Sequence, residues 1–407
     1  MYDAAPATLS KPSLLFLCHR IPFPPDKGEK IRAFRILEHL RQRYSVHVGC
    51  FIDDDADIAH VGALQSHCTS LGWFPRPPRT AKLKALVGLM KGDAISVATF
   101  ASAPFQAWVR QQIIREKPDV IFVYSSAMAQ FMLGIDRGKA RLVMDFVDVD
   151  SDKWRQYART ASIPMKWVYS REARKMLEFD RRVAGAADAS LFVSDMEAAL
   201  FRTLSPETAA STYTVANGVD CDYFSPAHRF PSPYKVIGPH LVFTGTMDYR
   251  PNVDAVVWFA DEIFPAIRAR HPQASFTIAG AKPAKAVSEL GSRPGITVTG
   301  RLPDVRPFIA GADMVVAPLR IARAIQNKVL EGMAMGKPVI TTPQGLEGIA
   351  AGHGEHLLVA ETAEAFIQAV LEMTPTQAAA LGAGARELME SAYGWPKQLA
   401  ALDLLVG

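Results

Sequence analysis

Two charged residues in one short segment, Lys328 and Glu331, are the strongest candidates for chemistry in this sequence. Leu330, Met333 and Ala334 repeat at helical spacing around them, which predicts a helix with Lys328 in its first turn. A cation there opposes the helix dipole, and a bound phosphate would resolve the conflict because free N–H groups at a helix start bind it. Glu331 falls on the same helix face, where its carboxylate suits the hydroxyl groups of a sugar. The pair therefore indicates a site for a nucleotide or a nucleotide sugar.

The residues around this helix support that interpretation and also leave an alternative open. Gly336 is placed to end the helix, and residues 338–342 then predict a strand. Arg320 and Arg323 precede the helix, so we expect three cations to converge at its start. The alternative is an exposed Lys–Glu pair within the helix, which would contribute only about 0.2–0.5 kcal/mol to stability.

Two further loops in the second half carry arginine after a predicted strand. Pro251 marks a natural helix start, so the preceding Arg250 should lie at the carboxyl end of a strand, not far from Gly245. The planar guanidinium of an arginine there suits a diphosphate. Gly300 and Arg301 repeat the arrangement after a later strand, where backbone groups could bind a base and Arg301 could stack on it. An ordinary exposed loop arginine is the alternative for Arg250.

The first half offers a second possible phosphate site. A predicted strand ends near His19, prolines keep the following loop extended, and Gly28 then opens an amphipathic helix. A strand, a glycine-bearing loop and a helix start can together form a phosphate cradle, although the motif matches neither a dinucleotide-binding fingerprint nor a P-loop. The alternative is an irregular turn with solvated lysines.

Residues 145–154 place several carboxylates at and beyond another strand end. No histidine or closing glutamate completes a metal site there, so we predict a polar loop that faces a cleft. Asp148 and Asp150 could then contact an acceptor hydroxyl. A solvated loop that caps a helix is the alternative.

Short apolar runs alternate with amphipathic stretches along the whole chain, which is typical of parallel sheets with helices on both faces. The sequence therefore predicts an α/β protein with two doubly wound units that bind ligands at the carboxyl ends of their strands. Two such units facing each other would enclose a substrate in a central cleft. The predicted strands are 14–18, 45–51, 120–124, 142–146 and 189–193 in the first half, and 240–244, 275–279, 297–299, 314–317, 338–341 and 356–359 in the second.

The boundary between the units is predicted after residue 216, because Asn-Gly-Val-Asp at 217–220 is followed by a proline-rich stretch. We expect a first domain over 1–216, a second over 217–388, and a C-terminal helix over 389–407 that packs back on the first domain. At 407 residues, two domains are the default.

Composition excludes several classes of protein. With 45 Lys and Arg against 41 Asp and Glu, the net charge of +4 is too small for a nucleic-acid-binding protein. The four cysteines are scattered and form no short metal-binding or redox pair. No signal peptide and no apolar run of membrane-spanning length is visible, so we expect a cytoplasmic protein.

One segment could still attach the protein to a membrane. Residues 76–91 contain five basic residues and no acidic ones, with leucine, valine and methionine between the charges. This pattern is typical of a basic amphipathic helix on the inner face of a cytoplasmic membrane. The alternative is an ordinary surface helix whose apolar side packs inward.

Three motifs together resemble the GT-B glycosyltransferases of family 4, and the likeness spans essentially the whole chain. The segment 217–226 is similar to the family's interdomain Asn-Gly-Val-Asp motif ending in Phe-x-Pro, and 193–197 resembles its strand ending in serine before a helix with glutamate. The run 330–340, Leu-Glu-Gly-Met-Ala-Met-Gly-Lys-Pro-Val-Ile, resembles its most specific motif. The stretches 22–32 and 326–331 look most like the sugar transferases associated with exosortase and exopolysaccharide loci.

This resemblance implies a retaining enzyme that moves a sugar from a nucleoside-diphosphate sugar to an acceptor hydroxyl, such as that of a glycan or a lipid-linked acceptor, without a metal or other cofactor. By position, Glu331 should hold the donor ribose and Lys328 and Arg250 the diphosphate, and these three would be the catalytic residues. The residues expected to bind the donor are Gly28, Gly245, Arg250, Gly300, Arg301, Asn327, Lys328 and Glu331. His19, Asp148 and Asp150 would serve the acceptor side.

The sequence departs from the family at one important position. Family members usually carry a second glutamate eight residues before the one that matches Glu331, and this chain has Arg323 there. The usual carboxylate contact to the donor sugar is therefore in doubt. A nucleotide-sugar epimerase of the same fold and a non-catalytic scaffold that binds nucleotide sugars are the alternative functions.

Overall fold

The computed structural model describes residues 11–235, 238–322 and 325–407. The chain forms two compact units, of which one runs to Val215 and includes Leu399–Gly407, and the other comprises Ala216–Gln398. Arg323, the departure from the family pattern, lies outside the described residues, so its predicted place at the helix start stays a prediction.

A parallel sheet of seven strands forms the centre of the first unit. The strands are β1 (Ser13–Cys18), β2 (Ser45–Ile52), β3 (Ser70–Pro75), β4 (Val120–Tyr124), β5 (Arg141–Val147), β6 (Ala189–Phe192) and β7 (Thr212–Thr214). Their order, β3-β2-β1-β4-β5-β6-β7, reverses direction between β1 and β4. In doubly wound sheets this reversal opens a crevice at the carboxyl ends of the strands, which is where ligands bind.

All five strands predicted for this half are present, and two were missed. The missed strands, β3 and β7, form the two edges of the sheet. Their side chains are mostly half-buried or exposed, whereas β4 is buried throughout. An edge strand therefore lacks the continuous apolar run by which a central parallel strand is recognised.

Helices cover the first sheet and bury its apolar faces. The longest, Met165–Ala186, packs Met176, Phe179 and Val183 into the same core as β5. The helices are α1 (Gly28–Leu40), α2 (Val61–Gln65), α3 (Pro78–Lys91), α4 (Ile95–Ala98), α5 (Ala103–Glu116), α6 (Asp150–Thr160), α7 (Met165–Ala186) and α8 (Asp195–Leu204).

The second unit contains a parallel sheet of six strands. They are β8 (His240–Thr244), β9 (Ser275–Ala279), β10 (Ile296–Val298), β11 (Met314–Ala317), β12 (Val339–Thr341) and β13 (Leu358–Val359), in the order β10-β9-β8-β11-β12-β13. This sheet reverses between β8 and β11. Each of the six strands was predicted, with ends that differ by at most two residues, and the prediction of two doubly wound α/β units is confirmed.

The second unit has its own set of helices. They are α9 (Arg250–Trp258), α10 (Phe264–Arg270), α11 (Lys285–Leu290), α12 (Arg306–Gly311), α13 (Asn327–Ala334), α14 (Ala363–Leu371) and α15 (Pro375–Leu388). Helix α16 (Trp395–Val406) begins in this unit, and its residues from Leu399 onward belong to the first unit. A π-helical turn, Phe259–Ile263, joins α9 to α10, and a second, Met389–Tyr393, follows α15.

The last residues of the chain pack on α1 of the first unit. The hydroxyl of Tyr44 donates hydrogen bonds to the carbonyls of Val406 and Gly407, at 3.2 and 3.0 Å. His39 and Asp403 lie 2.9 Å apart at the same contact. Among the residues described, no helix is both long and apolar enough to span a membrane.

Candidate functional site

The helix that carries Lys328 begins one residue before it. Helix α13 starts at Asn327, and Gly336, with a φ of +63°, adopts the left-handed conformation that ends a helix. Lys328 is 9% exposed, and its Nζ lies 5.2 Å from the centre of the Phe243 ring and 3.5 Å from Oε1 of Gln326. The first turn of α13 therefore holds a buried ammonium group, and the alternative of an exposed Lys–Glu pair is wrong.

Lys328 packs against the turn that follows β8. A Cβ atom added to Gly245 would lie 3.5 Å from Cε of Lys328 and 2.7 Å from Nδ2 of Asn252. Gly245 also has a φ of +152°, which favours glycine. Because β8 and β11 are neighbours at the reversal of the sheet, the turn after β8 and the helix after β11 meet in its crevice.

Burial changes the protonation of both charged residues on α13. Removal from water lowers the pKa of Lys328 from 10.5 to about 8, and the nearby Glu331 opposes this change. Burial likewise raises the pKa of Glu331 from 4.5 to about 7, against the opposing effects of Lys328 and of a hydrogen bond from Thr244. Two oppositely charged groups therefore titrate close to neutral pH, as is common at functional sites.

The turn that carries Gly245 is held by a second glycine after β9. A Cβ added to Gly280 would lie only 1.6 Å from the carbonyl oxygen of Gly245. We expect Gly280→Ala to destabilise the second unit by about 2–4 kcal/mol, because either backbone must move. Urea unfolding measures the loss, with Gly394→Ala as the control, since the nearest atom to its added Cβ is 3.9 Å away. Equal stability of the two variants would contradict this packing.

The predicted convergence of cations at the start of α13 is wrong for Arg320. Its guanidinium donates to both carboxylate oxygens of Asp254, at 2.7 and 3.0 Å, and lies 5.1 Å from the centre of the Trp258 ring. Both partners belong to α9, so the ion pair holds Arg320 toward that helix. A paired and stacked arginine satisfies its charge locally, which the sequence could not show.

Arg250 lies in different surroundings from Lys328. It is the first residue of α9, is exposed, and lines an open groove that Asp254 and Arg320 also line. Its guanidinium can therefore move to a ligand, whereas Lys328 is fixed by packing.

Two of the remaining donor-side residues, Gly300 and Arg301, follow the edge strand β10. Gly300 has a φ of +69° with open space around its Cα, and Arg301 is exposed. Strand β9 separates β10 from β8, so these residues lie roughly 10 Å along the sheet from the Gly245 turn. Asn327 is half-buried at the start of α13. The described part of the second unit therefore has the buried ammonium of Lys328 at the reversal of its sheet, and Gly300 and Arg301 lie farther toward the sheet edge.

Four polar residues near this edge were not predicted as site residues. Nδ2 of the buried Asn252 donates to the carbonyl of Thr246 at 2.9 Å. The guanidinium of Arg306 lies 3.7 Å from the centre of the Tyr223 ring and pairs with Asp304 at 2.7 Å. Tyr223 is close enough to Glu331 for that carboxylate to raise the pKa of its hydroxyl, although burial has the larger effect. No pattern in the sequence distinguishes these residues from ordinary loop residues.

In the first unit, the predicted phosphate cradle carries its own carboxylate. Gly28 is exposed at the start of α1, as predicted, but the next residue, Glu29, pairs with Arg20 at 2.8 Å. Arg20 also contacts Asp53 at 2.9 Å. A phosphate at this helix start would therefore compete with Glu29, which weakens the case for Gly28.

His19 follows β1 and lies at the reversal of the first sheet. Its ring stacks on Tyr124, the last residue of β4, with 5.6 Å between ring centres. Its Nδ1 is buried and has no hydrogen-bond partner among the residues described. Burial, reinforced by Arg20, lowers the pKa of His19 to about 4, so the ring is neutral at pH 7.

The carboxylates around position 148 do not form the single polar loop that we predicted. Asp145 lies within β5, fully buried, and pairs with the buried Arg32 at 2.9 Å. Asp150 starts α6. Asp145 lies within the predicted strand 142–146, and the ion pair with Arg32 of α1 allows a carboxylate there, where an unpaired one would be too costly.

Asp148 follows a residue with an unusual backbone conformation. The preceding Val147 has a φ of +71°, which is rare for a β-branched residue, and the strand register shifts between Asp145 and Val147. Burial raises the pKa of Asp148 to about 7, and Glu197 and Asp150 add to the rise. Its Oδ1 is buried and lacks a hydrogen-bond partner in the described part of the chain. This arrangement leaves a polar atom available to a ligand at the carboxyl edge of the first sheet.

The described residues contain no group of three or more His, Cys, Asp or Glu side chains that could hold a metal ion. The second sheet presents a buried ammonium, a carboxylate and a helix start. This combination suits a phosphate with attached hydroxyl groups.

Comparison with known proteins agrees with this geometry. Residues 238–374, which include β8, α9 and α13, match the family described as glycosyl transferases group 1. An uncharacterized 44.6 kDa protein in the cps region of Klebsiella pneumoniae is 21% identical over 171 residues. That alignment covers 37% of this chain and 44% of the Klebsiella protein, so less than half of that protein's length is matched.

Solved structures match the chain over nearly its full length. Sucrose-phosphate synthase from Thermosynechococcus elongatus aligns with a TM-score of 0.69 and 18% identity, covering 97% of this chain and 98% of that one. WaaG, a glycosyltransferase involved in lipopolysaccharide biosynthesis, aligns with a TM-score of 0.67 and 18% identity, over 97% and 100%. HepE from Anabaena, in complex with UDP-glucose, gives 0.66 and 17%, over 97% and 99%. The chain therefore has the GT-B fold, and residues 238–374 of its second unit match the group 1 glycosyl transferases.

Proposed function

We propose that this protein is a retaining, metal-independent glycosyltransferase of family 4 that moves a sugar from a nucleoside-diphosphate sugar to an acceptor hydroxyl. The match of residues 238–374 to group 1 glycosyl transferases supports the reaction class. Relatives in the cps region of Klebsiella and in lipopolysaccharide biosynthesis support a role in making an exopolysaccharide or another cell-surface glycan. The motifs shared with exosortase-associated transferases favour the same role.

The observation that carries the proposal is the buried ammonium of Lys328, packed against Gly245 and beside Glu331. Cleavage of the bond between the anomeric carbon and the diphosphate oxygen leaves negative charge on the β-phosphate. In this proposal Lys328, the N–H groups at the start of α13 and the exposed Arg250 stabilise that charge. Glu331 accepts hydrogen bonds from the ribose, and Gly300 and Arg301 contact the base.

The anomeric configuration of the sugar is retained if the acceptor attacks the anomeric carbon from the same face that the phosphate leaves. The acceptor oxygen forms the new bond to the anomeric carbon, its proton passes to a β-phosphate oxygen, and the nucleoside diphosphate departs. No side chain of the protein forms a covalent intermediate in this scheme. The cations of the protein neutralise the leaving group, so no metal ion takes part.

A panel of nucleotide sugars tests the proposal. The cognate donor should raise the melting temperature by mass action and, with EDTA present, give a product whose anomeric configuration matches that of the donor. NMR of the product reads the configuration directly. Conversion of the nucleotide sugar to its epimer would establish the epimerase instead. Binding without hydrolysis or transfer would establish a scaffold, and absence of any binding would refute all three.

The protonation of Lys328 and Glu331 predicts a bell-shaped pH dependence for nucleoside-diphosphate binding. Affinity should rise through about pH 7 as Glu331 ionises and fall above about pH 8 as Lys328 loses its proton. Calorimetry between pH 6 and pH 9 measures it. Glu331→Gln should make the affinity less dependent on pH below about pH 7 and leave the decline above about pH 8 unchanged. The ligand's own phosphate groups titrate equally with both proteins, so they do not affect the comparison. An unchanged acid limb in the variant would contradict the assignment.

On the acceptor side, we assign Asp148 to the attacking hydroxyl, with His19 and Asp150 nearby at the same sheet edge. Asp148→Asn should lower the rate of transfer about 10- to 100-fold and leave hydrolysis of the donor unchanged, because it removes only the carboxylate that orients the attacking hydroxyl through a hydrogen bond. Comparing transfer with hydrolysis in one reaction measures this split. Equal loss of both activities would place Asp148 outside the acceptor site.

The protein is also proposed to be cytoplasmic and to act at the inner face of the cytoplasmic membrane through residues 76–91, where a lipid-linked acceptor would be available. Leu83, Leu86, Val87 and Met90 of α3 are exposed, with Met90 81% exposed, so the apolar side of this helix does not pack inward. Leu86→Gln with Met90→Gln should weaken sedimentation with phosphatidylglycerol vesicles. Unchanged sedimentation of this double variant would refute the contact.

A further inference from the structure

A second group of exposed apolar side chains lies at the tip of the hairpin between α6 and α7. We define the hairpin tip as residues 162–167. Ile163 is 86% exposed, Trp167 is 62% exposed, and Met165 is also exposed. Of the fifteen large apolar side chains exposed among the described residues, four lie in α3 and three in the hairpin tip. Nearly half of them are thus concentrated in two short segments of one unit.

The hairpin tip shares the charge pattern of α3. The sequence from Lys153 to Arg171 contains five basic residues and no acidic ones. Lys166 is exposed within the tip, between Met165 and Trp167. Long basic side chains can cover apolar surface while their charged ends reach the phosphates of a membrane. Lys153 and Arg155 pair with acidic residues of α6, and Arg171 is buried. Arg159 and Lys166 are therefore the exposed basic residues nearest the tip. Each segment therefore combines exposed apolar groups with a surplus of basic residues.

A direct contact joins α3 to α7, the helix that begins within the hairpin tip. Nη2 of the buried Arg171 donates to the carbonyl of Leu89, near the end of α3, at 3.3 Å. Trp167 lies four residues before Arg171, on the same face of α7. The contact therefore brings the last turn of α3 close to the turn of α7 that follows the hairpin tip.

We propose that the hairpin tip is a second membrane-binding element, which inserts Ile163, Met165 and Trp167 into the interface of an anionic bilayer beside α3. This proposal rests on the membrane contact of α3 proposed above. An indole suits the interface because its body is apolar and its N–H is polar. Charge complementarity favours a lipid surface over a second copy of this chain, since two copies of a surface with more basic than acidic residues would repel each other.

Quenching of tryptophan fluorescence by brominated acyl chains tests this insertion. Phosphatidylglycerol vesicles with brominated lipids should quench the full-length protein, and Trp167→Phe should lose most of that quenching. Trp73→Phe is the matched control, because Trp73 is exposed on the edge strand β3. Trp167→Gln with Ile163→Gln should lower vesicle affinity at least about tenfold.

Each outcome separates the hypotheses. Binding to vesicles without quenching that depends on Trp167 would overturn the role of the hairpin tip and leave the contact of α3 standing. A dimer in sedimentation velocity that the tip variant abolishes would overturn the lipid assignment in favour of a second copy. Hydrolysis of a soluble donor reports on the transferase proposal independently of both.

A second inference concerns Asn252, a buried residue of α9 that has no role in the proposed reaction. It is 4% exposed, and its Nδ2 is fixed by the carbonyl of Thr246. Its Oδ1 is buried and has no hydrogen-bond partner among the described residues. Among the described residues, the one hydrogen bond of the nearby ammonium of Lys328 is a long contact, 3.5 Å, to Gln326. The amide oxygen of Asn252 thus lacks a donor, the ammonium of Lys328 has room for another acceptor, and both side chains pack against Gly245.

We infer that Asn252 is a positioning residue for Lys328, whose ammonium donates to Oδ1 while Nδ2 holds the Gly245 turn. The inferred contact between Asn252 and Lys328 does not depend on the proposed function; its effect on catalysis rests on the proposed donor site. It places the ammonium under the turn after β8, where a diphosphate would be bound. Glu331 is the charged group that faces the same ammonium.

Titration of Lys328 by NMR of protein labelled with ¹³C at the lysine Cε atoms tests the inference without a ligand, with Lys328→Met to assign the resonance. Asn252→Leu should lower the titration midpoint by about one pH unit, because an acceptor for the charged form is lost. Asn252→Asp should raise it. Midpoints that stay at the wild-type value, or that move together in both variants, would overturn the inference and show that Asn252 only supports the turn.

Discussion

Lys328→Met is expected to lower the rate of sugar transfer about 100- to 1,000-fold, which is the usual effect of removing a charge-stabilising group from an enzyme site. The loss should lie in the chemical step, because the negative charge on the β-phosphate is largest as the bond to the sugar breaks. Single-turnover kinetics with saturating donor measures that step.

The same substitution should leave the fold intact or make it more stable. The lowering of the Lys328 pKa from 10.5 to about 8 corresponds to roughly 3 kcal/mol against the charged form in the folded state. That cost is fully present below about pH 8 and disappears as the pH rises toward 10.5, where the unfolded chain also loses its proton. Methionine fills similar space without charge, so the melting temperature at pH 7 should not fall.

Lys337→Met provides the matched control. Lys337 is a half-buried lysine of the same unit that lies beyond the end of α13, and burial lowers its pKa as well. Its replacement should leave transfer unchanged. Normal transfer by Lys328→Met, or an equal loss in both variants, would remove Lys328 from the reaction.

Glu331→Ala is expected to weaken donor binding about 10- to 100-fold, because hydrogen bonds between a carboxylate and ribose hydroxyls are charge-assisted. The effect should appear in the KM of the donor and in the dissociation constant of the nucleoside diphosphate. Calorimetry with the nucleoside diphosphate alone measures it without an acceptor.

Two comparisons make this result specific. Glu331→Gln keeps the shape of the side chain and should retain part of the affinity, whereas Glu361→Ala removes an exposed carboxylate from the same unit and should change nothing. A loss confined to the rate constant, with unchanged nucleotide affinity, would show that Glu331 does not bind the ribose.

The pattern of apolar residues was sufficient to predict both sheets, because a central parallel strand is buried on two faces and must be apolar throughout. The same reasoning did not find the edge strand β3, since five of its six residues are half-buried or exposed, which lets Ser70 and Pro75 occur within it. The sequence also predicted the helix of Lys328 and its glycine stop, which depend on local spacing.

Burial, pairing and alignment across the sheet were decided by the tertiary structure. Lys328 could have been a solvated lysine, and it is a buried ammonium because the turn at Gly245 closes over it. Arg320 has the same charge, yet Asp254 holds it elsewhere. The unpartnered Oδ1 of Asn252 and the exposed side chain of Trp167 likewise have no counterpart in local spacing.

The sequence by itself determined the order of strands and helices and the residue types available at their ends. Only the tertiary structure decided which of those residues meet, because the contacts of Lys328 with Gly245 and of Arg171 with Leu89 join segments that lie more than eighty residues apart. Such contacts depend on how the sheet is wound, and no short stretch of sequence contains that information.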